Sequence, residues 1–150
     1  MADIPGTSGV PCVVLRADTD ALPIHEETGL EFASVHAGVM HACGHDGHTA
    51  MLLGAAALLS EEKDLPAPVR LIFQPAEEKG TGAQAMIQAG ALDGAGLIFG
   101  GHLDRHYQPG AIVVAEGAVN ASSDNFTIEI IGQGAHGARP HESIDAVVVG

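Results

Sequence analysis

The chain has 150 residues, 46% of them hydrophobic and 17% charged, with 20 glycines and no tryptophan; this is enough for an ordinary domain with a core of Ala, Val, Leu and Ile, and it suits a globular α/β class rather than disorder. A formal charge of −13 disfavours phosphate backbones and anionic lipid and favours cations, so neither nucleic acid nor membrane is an expected partner. The longest apolar run, Ala50–Leu59, is too short for a span, the first residues lack the pattern of a secretory signal, and two cysteines make no disulfide framework, so the expected setting is the cytoplasm.

In chain order, Val13-Val14-Leu15 reads as a buried strand whose carboxyl end carries Asp18 and Asp20. A polar loop follows over Glu26–Met40. His41-Ala42-Cys43-Gly44-His45-Asp46-Gly47-His48 then runs into a helix over Thr49–Leu59, apolar almost all round and so expected to be buried, with Asp46 as its N-cap. Val69–Phe73 is a second buried strand, ending at Glu77-Glu78. A short helix over Ala83–Ala89 is closed by Gly90, and Leu97–Phe99 is a third strand, ending at His102. In Phe126-Thr127-Ile128-Glu129-Ile130 the apolar residues alternate, so Asn125–Gly132 is expected to be a half-exposed antiparallel strand. That change of pattern puts a domain boundary near Gly117–Asp124, dividing the chain into 1–120 and 121–150. Ile144–Val149 begins something helical or extended.

Three strands thus end in residues able to bind a metal or a substrate, which is where ligands sit in open α/β sheets. Cys43 and His45 offer a thiolate and an imidazole, good ligands for zinc and similar borderline metals; alone, the same pattern is more often an inert buried Cys beside a surface His. Adjacent side chains in extended backbone point to opposite sides, so one of Glu77 and Glu78 can bind a metal while the other faces its water; alone, the pair is equally a solvated acidic helix start. His102 becomes a ligand candidate through this company. Asp18 and Asp20, at alternate positions, can orient a ligand imidazole, and local turn hydrogen bonding is the competing role. Gly134-Ala135-His136-Gly137-Ala138-Arg139-Pro140-His141 carries two His and an Arg but no acid, which fits an anion or oxyanion better than a metal. A zinc deaminase needs H-x-E with P-C-x-x-C, and neither motif occurs.

The segments Leu15–Pro23, His41–Gly54, Phe73–Glu78 and Gly134–His141, in this order, resemble the M20 metallopeptidase family in its amidohydrolase branch, which includes hippurate hydrolases, N-acyl-amino-acid amidohydrolases (aminoacylases) and plant auxin-conjugate hydrolases. HACGHDGHTAMLLGAA and FQPAEE carry the match. The resemblance implies a metal-dependent hydrolase of N-acyl amino acids with two divalent metal ions, for which Zn, Mn, Co and Ni all suit the ligand types. It implies Cys43 as the metal-bridging ligand, His45, His102 and Glu78 as further ligands, Glu77 as general base, and His136 as the group that polarises the substrate carbonyl. It also implies a catalytic α/β domain, here 1–120, with the start of an inserted α+β dimerisation or lid domain, here 121–150, and a homodimer in the full-length protein. One further His ligand belongs to the family pattern, so the chain is expected to be a fragment. The alternative to an enzyme is a truncated chain that binds metal residually and catalyses nothing.

Overall fold

Val14 and Ile72 point to one side of a sheet and their neighbours Leu15 and Leu71 to the other, and this alternation divides the core of the first structural unit in two. The computed structural model describes residues 1–119, 121–122 and 124–150. They form two units, Met1–Gln108 and Pro109–Gly150; the boundary expected at 120/121 falls on Asn120, outside the described residues.

In the first unit the order is β1 (Ala2–Ile4), β2 (Cys12–Asp18), α1 (His45–Glu61), β3 (Val69–Gln74), α2 (Gly82–Gln88) and β4 (Ala95–Gly100). The sheet order is β1-β3-β2-β4, with β2 parallel to both β3 and β4 and β1 antiparallel to β3. The fold is α/β. The register pairs Asp18 with Gln74 and Arg16 with Gly100, so β2, β3 and β4 deliver their following loops to the same end of the sheet. Strand β1 has no counterpart in the sequence reading: three residues carry no period, and the strand depends on pairing with β3 and on Arg70, which donates to Asp3 and to the carbonyls of Ala91 and Asp93.

Helix α1 lies on the face where Ala17, Leu52, Leu65, Val69 and Leu71 are buried, with Leu15, Ala56, Leu59 and Phe73 packed against them. Helix α2 contributes Met86 to the opposite cluster of Val14, Ile72 and Ala91. Two expectations for α1 need correction. Only His45, His48 and Leu52 of the helix are buried, one stripe at helical spacing, whereas Met51, Leu53 and Leu58 are exposed; an apolar circumference does not oblige burial where only one face meets a sheet. The N-cap is Gly44, not Asp46. Gly44 sits at φ 85° and its carbonyl accepts the His48 N–H at 2.9 Å, a left-handed conformation that a β-carbon strains. Asp46 instead lies in the first turn, still favourably placed for the helix dipole.

The turn after β3 is tight. Ala76 has φ 51°, the one positive value among the described non-glycine residues, and the Gly82 N–H reaches back to its carbonyl at 3.2 Å. A β-carbon on Gly82 would lie 1.6 Å from the Pro75 carbonyl oxygen, and backbone cannot yield as a side chain can. Gly82→Ala is therefore expected to cost about 3 kcal/mol, the upper end for overpacking, measured by urea unfolding, and to displace the loop that carries Glu77 and Glu78. A loss within about 0.5 kcal/mol would show that the turn relaxes freely.

The second unit pairs Gln133 with Ile144 in an isolated antiparallel bridge, with a 3-10 turn at Pro140–Glu142 between the two partners and a short α3 (Ala146–Val149), capped by the Asp145 carboxylate, after them. The strand expected over Asn125–Gly132 is not formed among the described residues. Alternation describes which residues a strand would bury, but a strand exists only through a ladder of partner hydrogen bonds, and the one described pairing here begins at Gln133.

Candidate metal centre

The loops following β2, β3 and β4 meet the start of α1, and the meeting point is the imidazole of His45, only 1% exposed. Its Nδ1 lies 2.8 Å from the Asp20 backbone carbonyl. A carbonyl only accepts, so Nδ1 is the donor, and Nε2 is the ring nitrogen left to offer a lone pair to a ligand. Among the described residues, Nε2 of His45 is the one buried side-chain nitrogen or oxygen with no hydrogen-bond partner. Three carboxylate oxygens surround it: Asp18 Oδ2 at 3.6 Å, Glu77 Oε2 at 3.7 Å and Glu78 Oε1 at 3.8 Å.

These separations are long for hydrogen bonds, yet two ligands each about 2.0–2.2 Å from a common ion lie roughly 3–4 Å apart. The ligand atoms of Cys43, His45 and Glu78 all fall within 4.8 Å of one another. Cys43 Sγ in turn lies 3.6 Å from His102 Nε2. The Nδ1 of His102 donates to the Leu103 carbonyl at 2.7 Å, which leaves Nε2 as the ring nitrogen available to a metal. A thiol, two imidazole lone pairs and a carboxylate therefore face one locality, and this donor set fits a borderline divalent cation.

The electrostatics point the same way. Asp18, Asp20, Glu77 and Glu78 bring four carboxylates around His45, and Arg16 supplies a nearby positive charge through its 2.7 Å bond to Asp18. Burial, followed by hydrogen bonding to Glu78 and the charges of Glu78, Glu77 and Asp18, pushes the Cys43 thiol up from its ordinary range. A cation is what would reverse that, since metal coordination deprotonates a thiol. Burial tends to raise Asp18, but the hydrogen bond from His48 and the charge of Arg16 outweigh it and hold the carboxyl below its usual value.

Asp20 is the splint of the β3 loop. Burial would raise its pKa, and the backbone N–H groups of Glu77 and Glu78 overcome this by donating to Oδ1 at 3.0 Å and Oδ2 at 3.1 Å. One residue thus holds the main chain of both glutamates and, through its carbonyl, the ring of His45. The side chains of Glu77 and Glu78 remain 41% and 27% exposed, open to water and to a small molecule.

Of the residues singled out from sequence, Asp18, Asp20, Cys43, His45, Glu77, Glu78 and His102 converge in the first unit. His136 belongs to the second unit, where its Nδ1 accepts the Ala138 N–H at 3.1 Å and the ring is exposed. One participant went unassigned. Arg16, which bridges Asp18 and Gln74, could have been found from its alternate spacing to Asp18. His48, 3% exposed, stands one helical step from His45.

Comparison with known proteins accords with this geometry. The family described as Peptidase family M20/M25/M40 matches residues 14–148. The chain is 51% identical over 148 residues to the N-acetyl-L-cysteine deacetylase of Bacillus subtilis, covering 98% of this chain and 36% of that protein. It is 49% identical over 152 residues to the N-acyl-L-amino acid amidohydrolase of Geobacillus stearothermophilus, covering 100% of this chain and 41% of that protein. Among solved structures, the YXEP protein of Bacillus subtilis, described as a dinuclear metal binding peptidase, superposes with a TM-score of 0.66 at 50% identity over 68% of this chain and 29% of that one. The chain thus spans well under half the length of the relatives it matches. Matched along nearly all of its residues, it is a member of the M20/M25/M40 peptidase family.

Proposed function

We propose that this chain carries the metal-binding half of an amidohydrolase that cleaves N-acyl amino acids, of the hippurate type or related conjugates, with Cys43, His45, Glu78 and His102 as ligands to two divalent ions drawn from Zn, Mn, Co and Ni. The observation that carries the reading is the partnerless, inward-facing Nε2 of His45 among three carboxylates and a thiol. Such an atom costs free energy wherever nothing bonds it, and a cation supplies the missing partner. Relatives at 51% and 49% identity that are a deacetylase of N-acetyl-L-cysteine and an N-acyl-L-amino acid amidohydrolase support the substrate class.

Bound divalent ions supply Lewis acidity, bringing the pKa of water toward neutrality and polarising a carbonyl. The chain's own residues do the rest. Glu77, whose Oε2 lies 3.7 Å from His45 Nε2, takes a proton from the attacking water as the oxygen–carbon bond forms. It then delivers that proton to the amine nitrogen as the carbon–nitrogen bond breaks, leaving a carboxylic acid and a free amino acid. Asp20 keeps the Glu77 and Glu78 backbones in place, and Asp18 orients the imidazoles beside it. For His136 the proposal rests on the resemblance: an imidazole in the second unit that polarises the substrate carbonyl, within a homodimer of the full-length protein. A cytoplasmic setting belongs to the same proposal, with Cys12 and Cys43 both free; no helix among the described residues is long and apolar enough to cross a membrane.

The test is release of free amino acid from hippurate and N-acetyl amino acids, before and after a chelator and again after metal is restored. The expected result is hydrolysis lost with the chelator and regained with Zn, Mn, Co or Ni. Hydrolysis indifferent to chelation would contradict the mechanism. Stoichiometric metal uptake by these 150 residues without turnover would support the second reading, residual metal binding without catalysis.

A further inference from the structure

We infer that His48 is a positioning residue, held as the neutral Nδ1–H tautomer, that fixes the ligand His102 through the backbone of Leu103. The inference rests on the metal-centre reading above. His48 lies buried on α1 with both ring nitrogens engaged: Nδ1 is 2.6 Å from Asp18 Oδ1, and Nε2 is 2.8 Å from the backbone nitrogen of Leu103. An amide N–H only donates, so Nε2 must accept and cannot carry a proton. Nδ1 therefore donates to Asp18, and the ring is neutral. Asp18, His45 and His48 sit close enough together to suggest a metal trio, but the committed lone pair of His48 removes it from the ligand set. His45, with its free Nε2, differs from it in that respect.

The residue that His48 holds is the next one along from His102. The His102 ring is fixed on the other side by its own bond to the Leu103 carbonyl, and its edge packs against the His48 ring at a centroid distance of 4.7 Å and an angle of 70°. Leu103 thus donates to one imidazole and accepts from the other. The loop after β4 is otherwise exposed, and an exposed ligand loop loses affinity through the entropy of ordering it. His48 is the tether from the helix that reduces this loss. Outer hydrogen-bond partners of metal ligands typically matter by about 10–100-fold in affinity.

The two hydrogen bonds of His48 can be separated. In His48→Asn the side-chain amide stands near ring Nδ1 and can still donate to Asp18, but nothing accepts from Leu103. In His48→Gln the amide oxygen stands near ring Nε2 and can accept from Leu103. Hydrogen exchange of the Leu103 amide in the metal-free chain is expected to be slow in wild type and H48Q and fast in H48N. Co²⁺ affinity is expected to fall about 10–100-fold in H48N and only a few-fold in H48Q. A role in packing alone would move both variants together, and that result overturns the inference. Equal Co²⁺ affinities despite a difference at Leu103 overturn it as well. Ring ¹⁵N shifts of the wild-type protein need no variant: His48 protonated at Nδ1 alone supports the inference, and a proton on Nε2 overturns it. A wild-type chain that takes up no Co²⁺ instead overturns the metal-centre reading, and the role of His48 toward a ligand falls with it.

Discussion

Replacing Glu77 by Gln is expected to lower turnover of an N-acyl amino acid by about 10²–10⁴-fold, the range for losing a general acid–base group, while leaving metal affinity within a few-fold. The expectation depends on what the change leaves intact. Gln is nearly the shape of Glu, and the bond that places residue 77 is its backbone N–H to Asp20 Oδ1 at 3.0 Å, which does not involve the side chain. Glu78, the proposed ligand, keeps its own backbone bond to Asp20 Oδ2. The variant therefore removes a proton acceptor and little else. Steady-state kinetics should show the loss in kcat, with KM little changed, because the proton moves only as the reaction proceeds. Turnover within about 3-fold of wild type would reject Glu77 as the base, whatever the metal does.

The second large effect is expected at His45. His45→Asn keeps a donor near the position of Nδ1, able to reach the Asp20 carbonyl as the imidazole does at 2.8 Å, and it has no atom in the place of Nε2. Metal affinity should fall by more than about 100-fold, beyond what losing an outer hydrogen-bond partner costs. The metal-free protein should lose only about 1–3 kcal/mol by urea unfolding, the ordinary cost of shrinking a buried side chain, because the deleted nitrogen had no partner to lose. The contrast is the diagnostic: a small effect on the empty fold and a large one on metal uptake, read by isothermal titration with Zn²⁺. Equal affinities for wild type and H45N would show that His45 is a core residue with an unpaired atom and not a ligand.

How much of this was legible beforehand follows from which interactions are local. The chemistry-bearing residues stand at the carboxyl ends of apolar strands and at the start of a helix, features written in a few consecutive residues, so Cys43, His45, Glu77, Glu78 and His102 could be named from the chain. The faces were not legible. The helix containing Met51, Leu53 and Leu58 carries apolar residues around its circumference, and only the sheet's position decides that Leu52 is buried and they are not. Strand β1 and the unformed strand over Asn125–Gly132 fail for one reason in opposite directions: pairing is a long-range property, present for a short unpatterned segment and absent for a well-patterned one. The hydrogen bonds that distinguish His45 from His48 are not written locally. Three residues apart on one helical face, they are chemically identical in the sequence, and only a distant carbonyl at Asp20 and a distant amide at Leu103 decide which ring keeps a free lone pair.

All of the proposed chemistry requires that the sulfur of Cys43, the Nε2 atoms of His45 and His102 and the Glu78 carboxylate hold the bound cations between them. Titrating the metal-free chain with Co²⁺ while recording its absorption spectrum tests that directly, since cobalt bound to a thiolate absorbs in the near ultraviolet through sulfur-to-metal charge transfer. The expected result is saturable uptake with this band present in wild type and missing in Cys43→Ser. No uptake, or a spectrum that Cys43→Ser leaves unchanged, would contradict the account.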